Sequence, residues 1–102
     1  MTNPTKQVKE WYNKNAERLA ANFPKADFFE QDEDPVRGGV TIELEGPTLV
    51  ATLTFWYKGD VSVEILKKGS ERPLYLEDRT LLPGEDVCAL LDSCLRDIEN
   101  LV

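Results

Sequence analysis

The stretch Thr52–Leu66, TLTFWYKGDVSVEIL, decides the fold. Its residues alternate on both sides of a glycine-containing turn, and successive side chains of a strand point to opposite faces. Leu53 and Phe55, then Val61, Val63 and Ile65, fall on one face. Thr52, Thr54 and Trp56, then Ser62 and Glu64, fall on the other. A three-residue loop Tyr57-Lys58-Gly59, with Gly59 in the left-handed conformation, pairs Phe55 with Val61 and Leu53 with Val63. A two-residue turn at Gly59-Asp60 would instead set Trp56 beside Val61 and Val63 and leave Phe55 facing Glu64. One residue of slip exchanges the faces of a strand, so the aliphatic pattern selects the first register. The hairpin therefore has an aliphatic face and a polar face, and Trp56 belongs to the polar one.

Working outward, the same alternation continues on either side. In VTIELE (40–45), Val40, Ile42 and Leu44 oppose Thr41, Glu43 and Glu45. The following strand starts at TLVA, and the loop EGPT between the two pairs Ile42 with Ala51 and Val40 with Leu53. After the hairpin, PLYLED (73–78) sets Leu74 and Leu76 against Tyr75 and Glu77, and a Gly69-Ser70 turn pairs Ile65 with Leu74. Before it, ADFFEQ (26–31) reads as a short edge strand.

Helices bracket the strands. Asn3 is a good N-cap and Pro4 suits the first helical position. Val8, Trp11, Tyr12, Ala16, Leu19, Ala20 and Phe23 recur at three- and four-residue spacing up to Pro24, an amphipathic stripe. At the other end Val87, Leu90, Leu91, Cys94, Leu95, Ile98 and Leu101 form a second stripe, opened by Glu85 and Asp86, which suit a helix N-terminus. The expected architecture is one α+β domain over residues 1–102: an N-terminal helix, a four- to five-stranded antiparallel sheet and a C-terminal helix. Both helices cover the same aliphatic sheet face in a two-layer sandwich. The expected core is Trp11, Leu19, Val40, Ile42, Leu53, Phe55, Val63, Ile65, Leu90, Leu91, Leu95 and Ile98.

Composition narrows the function. The chain has no histidine, which removes the usual neutral-pH base and the histidine-activated nucleophiles. Cys88 and Cys94 lie six residues apart in one helix on different faces, with no CxxC spacing, and read as reduced structural thiols. Asp32, Glu33 and Asp34 lack the ligand spacing and mid-loop glycine of a calcium loop. No metal, cofactor or catalytic group is indicated, and no phosphate loop or nucleophile elbow is present. The net charge of −7 is concentrated in residues 25–48, where seven acids stand against Lys25 and Arg37. Such a surface disfavours nucleic acid and favours solubility or a basic partner. No apolar run has the length of a membrane span, and the N-terminus does not resemble a secretory signal, so the expected setting is cytoplasmic.

What remains is the polar sheet face. Trp56 and Tyr75 sit on it by parity, with Glu43, Glu45 and Glu64 around them and the acidic loop Asp32-Glu33-Asp34 nearby. Tryptophan and tyrosine surrounded by polar groups are the usual anchors of a protein interface, so these eight residues are the candidate partner-binding set.

The helix carrying Trp11, the acidic stretch after it, LTFWYKGDVSVEIL with its aromatic-polar-polar-Gly turn and alternating acids, and the leucine-rich last helix resemble the TriTu family of bacterial polymorphic-toxin immunity proteins. Trp11 and Trp56 correspond to two family tryptophans, and Phe55, Tyr57 or Tyr75 stands in for a third. The resemblance implies a non-catalytic antidote that binds and blocks a toxin domain delivered by neighbouring cells, acting as a monomer or weak dimer. The competing reading is a small acidic secretion chaperone, a dimer that would hold an effector segment in exposed apolar grooves.

Overall fold

A computed structural model describes residues 5–30 and 38–101 of the chain. The elements follow in the order α1 (Thr5–Lys14), α2 (Ala16–Asn22), β1 (Lys25–Glu30), β2 (Gly39–Glu45), β3 (Leu49–Trp56), β4 (Asp60–Lys67), β5 (Pro73–Thr80) and α3 (Val87–Leu101). The strands form an antiparallel sheet in sequence order, β1-β2-β3-β4-β5, and the helices pack on one of its faces. The α+β architecture is the one expected from the alternation of the central strands.

The N-terminal helix differs from the single element expected. It divides at Asn15, whose amide Nδ2 donates to the Trp11 carbonyl at 2.9 Å. The same carbonyl also accepts the Asn15 backbone N–H at 3.0 Å, and Leu19 N–H bonds the Asn15 carbonyl at 2.9 Å, so helical hydrogen bonds run on across the division. The chain regains a turn in α2 and leaves it at Phe23, which is extended as the residue before proline should be. The expected cap at Asn3-Pro4 lies outside the described residues.

The core is the aliphatic sheet face meeting three helices. Val40, Ile42 and Leu44 of β2, Leu49, Ala51, Leu53 and Phe55 of β3, and Val61, Val63 and Ile65 of β4 are all buried. Against them pack Val8, Trp11, Leu19 and Phe23 from the N-terminal helices and Val87, Leu91, Leu95 and Ile98 from α3. Of the expected core residues, Leu90 alone is only partly buried. Trp11 closes the layer: its ring is buried, and its indole N–H donates to Asp92 Oδ1 of α3 at 2.8 Å, so the one polar atom of a large apolar side chain keeps a partner. At the other end of the helix layer, Arg18 and Asn22 of α2 both reach the Glu99 carboxylate at 2.7 Å.

Register is where sequence and structure part. The β3–β4 pairing places Phe55 opposite Val61 and Leu53 opposite Val63, with Gly59 at φ +100°, as expected. Across β2 and β3, Ile42 pairs with Leu53 and Val40 with Phe55, two residues from the expected register. An even shift leaves every side chain on its face, so the core is unaffected. The β4–β5 ladder begins as expected, with Leu66 opposite Pro73. An irregularity between Ile65 and Leu66 then sets Ile65 opposite Tyr75 rather than Leu74. The odd shift exchanges the faces of the rest of β5. Tyr75, Glu77 and Arg79 turn to the helix side, and Leu76, Asp78 and Thr80 to the open side.

Candidate functional site

The open face of the sheet is built in rows. From β1 to β5, one row runs Asp27, Glu43, Thr52, Glu64, Leu76, and the next runs Phe29, Thr41, Thr54, Ser62, Asp78. Lys25, Glu45, Val50 and Leu66 form a third row, and Gly39 faces Trp56 in a fourth that continues to Asp60 and Thr80. Gly39 permits this last row. A β-carbon there would run into the Phe55 carbonyl oxygen and stand 2.9 Å from Trp56 Cα, so only glycine lets β2 approach the end of β3.

The face is polar in the middle and acidic around it. The Thr41 and Thr54 hydroxyls lie 3.4 Å apart at its centre. Trp56 is half-buried at one end, and Phe29 is exposed on the β1 side. Asp27, Glu43, Glu45, Asp60, Glu64 and Asp78 bring their carboxylates to this face, against Lys25 within the strands. Lys68, from the turn after β4, reaches Glu45 at 3.6 Å. Asp27 and Glu43 stand directly opposite each other, an arrangement that costs stability rather than adding it.

Of the residues expected to bind a partner, Trp56, Glu43, Glu45 and Glu64 share this face. Tyr75 does not. The β4–β5 irregularity carries it to the helix side, where its hydroxyl donates to the Glu77 carboxylate beside Cys94 and Asp97 of α3. That hydrogen bond, with smaller contributions from burial and nearby acids, pushes the phenol up to about 12. Asp32, Glu33 and Asp34 lie outside the described residues. Sequence reasoning missed Asp27, Asp60 and Asp78. Asp27 was legible in the alternation of ADFF, where Phe28 turns inward against Tyr12 with ring centroids 5.3 Å apart. Asp60 and Asp78 needed the exact strand ends and the β5 register.

Neither cysteine belongs to the site. Cys88 and Cys94 are free thiols on α3. Burial, then the neighbouring Glu77 and Asp97 carboxylates, pushes Cys94 up to about 11, so it is protonated and a poor nucleophile at neutral pH. Burial and nearby acids raise Cys88 as well. Among the described residues no group of three or more potential metal ligands converges, and no helix is long and apolar enough to cross a membrane.

A sheet covered by helices on one face, with an acidic opposite face carrying a partly exposed tryptophan, defines the class: a small two-layer α+β protein. The particular family follows from comparison with known proteins. The sequence model of the TriTu immunity protein family matches residues 6–96, and the chain belongs to that family. No curated protein and no solved structure matches it.

Proposed function

We propose that this chain neutralises a cognate bacterial toxin domain by binding it, with no chemistry of its own, in the cytoplasm of the cell it protects. Family membership supports the immunity role over the secretion-chaperone reading. The docking surface in this proposal is the open sheet face. The observation that carries it is the concentration of six carboxylates against Lys25 and the turn lysine Lys68 on a face that none of the described helices covers, with Asp27 and Glu43 held opposite each other at a cost to folding. A basic toxin surface would relieve that repulsion, and its encounter with the acidic face would be accelerated. Trp56 is the anchor: an aromatic ring flanked by threonines, serine and acids has the composition of an interface hot spot.

Two variants separate these roles. Trp56→Ala is expected to weaken toxin binding by about 2–4 kcal/mol, chiefly through faster dissociation. Glu43→Lys with Glu64→Lys should slow association, and the defect should shrink as salt shortens the Debye length. Both proteins are to be melted first to confirm folding. If Trp56→Ala binds like the parent while substitution of Asp32, Glu33 and Asp34 abolishes binding, the acidic loop is the interface and the sheet face is not.

A further inference from the structure

Beside Trp56 the open face is not flat. A cleft of about 520 Å³ opens where the ends of β3, β4 and β5 meet, and its walls include Trp56, Lys58, Asp60, Asp78 and Thr80. The Thr80 hydroxyl donates to Asp60 Oδ1 at 3.0 Å, which fixes that carboxylate at the cleft wall. Asp60 pairs with Thr80 and Ser62 with Asp78, so the two aspartates are diagonal neighbours across β4 and β5, roughly 7–8 Å apart. Arg79 also borders the cleft, but its guanidinium is directed to the other side of the sheet, where it meets Glu85 at 2.6 Å. Among the described residues neither Asp60 nor Asp78 has an ion-pair partner.

We propose that this cleft is a receptor for one arginine side chain of the toxin, its guanidinium lying on the Trp56 ring and donating to Asp60 and Asp78. The proposal rests on the reading that the open face meets a basic toxin surface, and it names the chemistry of the contact. A cation over an indole face is attracted by the ring quadrupole. A planar guanidinium can stack there while its in-plane N–H groups reach two separated carboxylates. The point charge of a lysine can satisfy only one of them well. Lys58, exposed in the β3–β4 turn, is a second cation on the cleft wall, with no ion-pair partner among the described residues. It competes with the incoming arginine rather than assisting it.

The test uses the intact protein and Nα-acetyl-arginine methylamide as the probe, followed by the Trp56 indole N–H resonance in NMR. Trp56→Phe assigns that resonance and separates it from Trp11. A saturable shift is expected with the arginine probe, none with its neutral citrulline analogue, and at least about threefold weaker binding with the lysine analogue. Asp60→Asn keeps the oxygen that Thr80 bonds, and it and Asp78→Asn should each weaken the probe about 3- to 10-fold. Lys58→Gln should tighten it about twofold. Equal shifts with citrulline, or titrations unchanged in both asparagine variants, would overturn the receptor. So would full toxin affinity in Trp56→Phe, Asp60→Asn and Asp78→Asn proteins, although the immunity role would then stand. A parent protein that binds no toxin removes the proposed function, while the probe titration still reports on the cleft.

Discussion

The two faces of the sheet obey different rules. On the helix side every strand residue of β3 and β4 that points inward is buried, the terminal Lys67 excepted, and the side chains of three helices interlock with them. On the open side threonines, a serine and carboxylates stand beside one half-buried tryptophan, and like charges face each other across β1 and β2. The first face is arranged for folding, and its residues are constrained by volume. The second contributes little to stability and part of it opposes folding, so its composition has to be explained by what it meets. The edge strand β5 belongs to neither regime. None of its eight residues is buried, and Leu74, Tyr75 and Leu76 are 55%, 45% and 55% exposed.

Substitutions on the two faces should make this contrast quantitative. Leu53→Ala empties a buried site beneath α3 and should destabilise the fold by about 2–5 kcal/mol in a denaturant melt. A value near zero would mean that the faces are assigned backwards. Trp11→Phe keeps most of the ring but loses the hydrogen bond to Asp92, and should cost about 1–2 kcal/mol. A larger loss would show that the α1–α3 contact organises the core rather than merely closing it.

The next test concerns pH. The Cys94 thiol is raised from 9.0 to about 11 in the folded state, so the unfolded chain releases this proton first. The stabilisation linked to it is complete below pH 9 and declines as pH rises from about 9 to about 11. Cys94→Ala should flatten that part of the stability profile, and an unchanged slope would place the alkaline sensitivity elsewhere. The smallest effects belong to the open side. Leu76→Lys should change stability by less than about 0.5 kcal/mol, because its side chain already stands in water. A core position would lose several times as much. Glu43→Gln, which ends the repulsion with Asp27, should raise stability by a few tenths of a kcal/mol, roughly 0.2–0.5.

The central strands and the terminal helices were legible because burial enforces their periodicity. In β2, β3 and β4 a single-residue slip would bring Glu43, Thr54 or Glu64 into the core, and the alternation therefore fixes which face each residue takes. Even the two-residue displacement between β2 and β3 left that outcome intact. Trp56 was assignable to the open side for the same reason, and with it Glu43, Glu45 and Glu64.

The sequence by itself thus determined the architecture, the aliphatic core and the existence of an acidic face with a tryptophan on it. Only the structure showed the division of the first helix at Asn15, which the unbroken apolar stripe does not signal. It also decided the register of β5. PLYLED alternates as well as its neighbours do, but the strand is the edge of the sheet and none of its residues is buried, so no core distinguishes Leu76 inward from Leu76 outward. With no burial energy to set the pairing, an irregularity between Ile65 and Leu66 exchanged the faces, moved Tyr75 away from Trp56, and brought Asp78 to the cleft in its place.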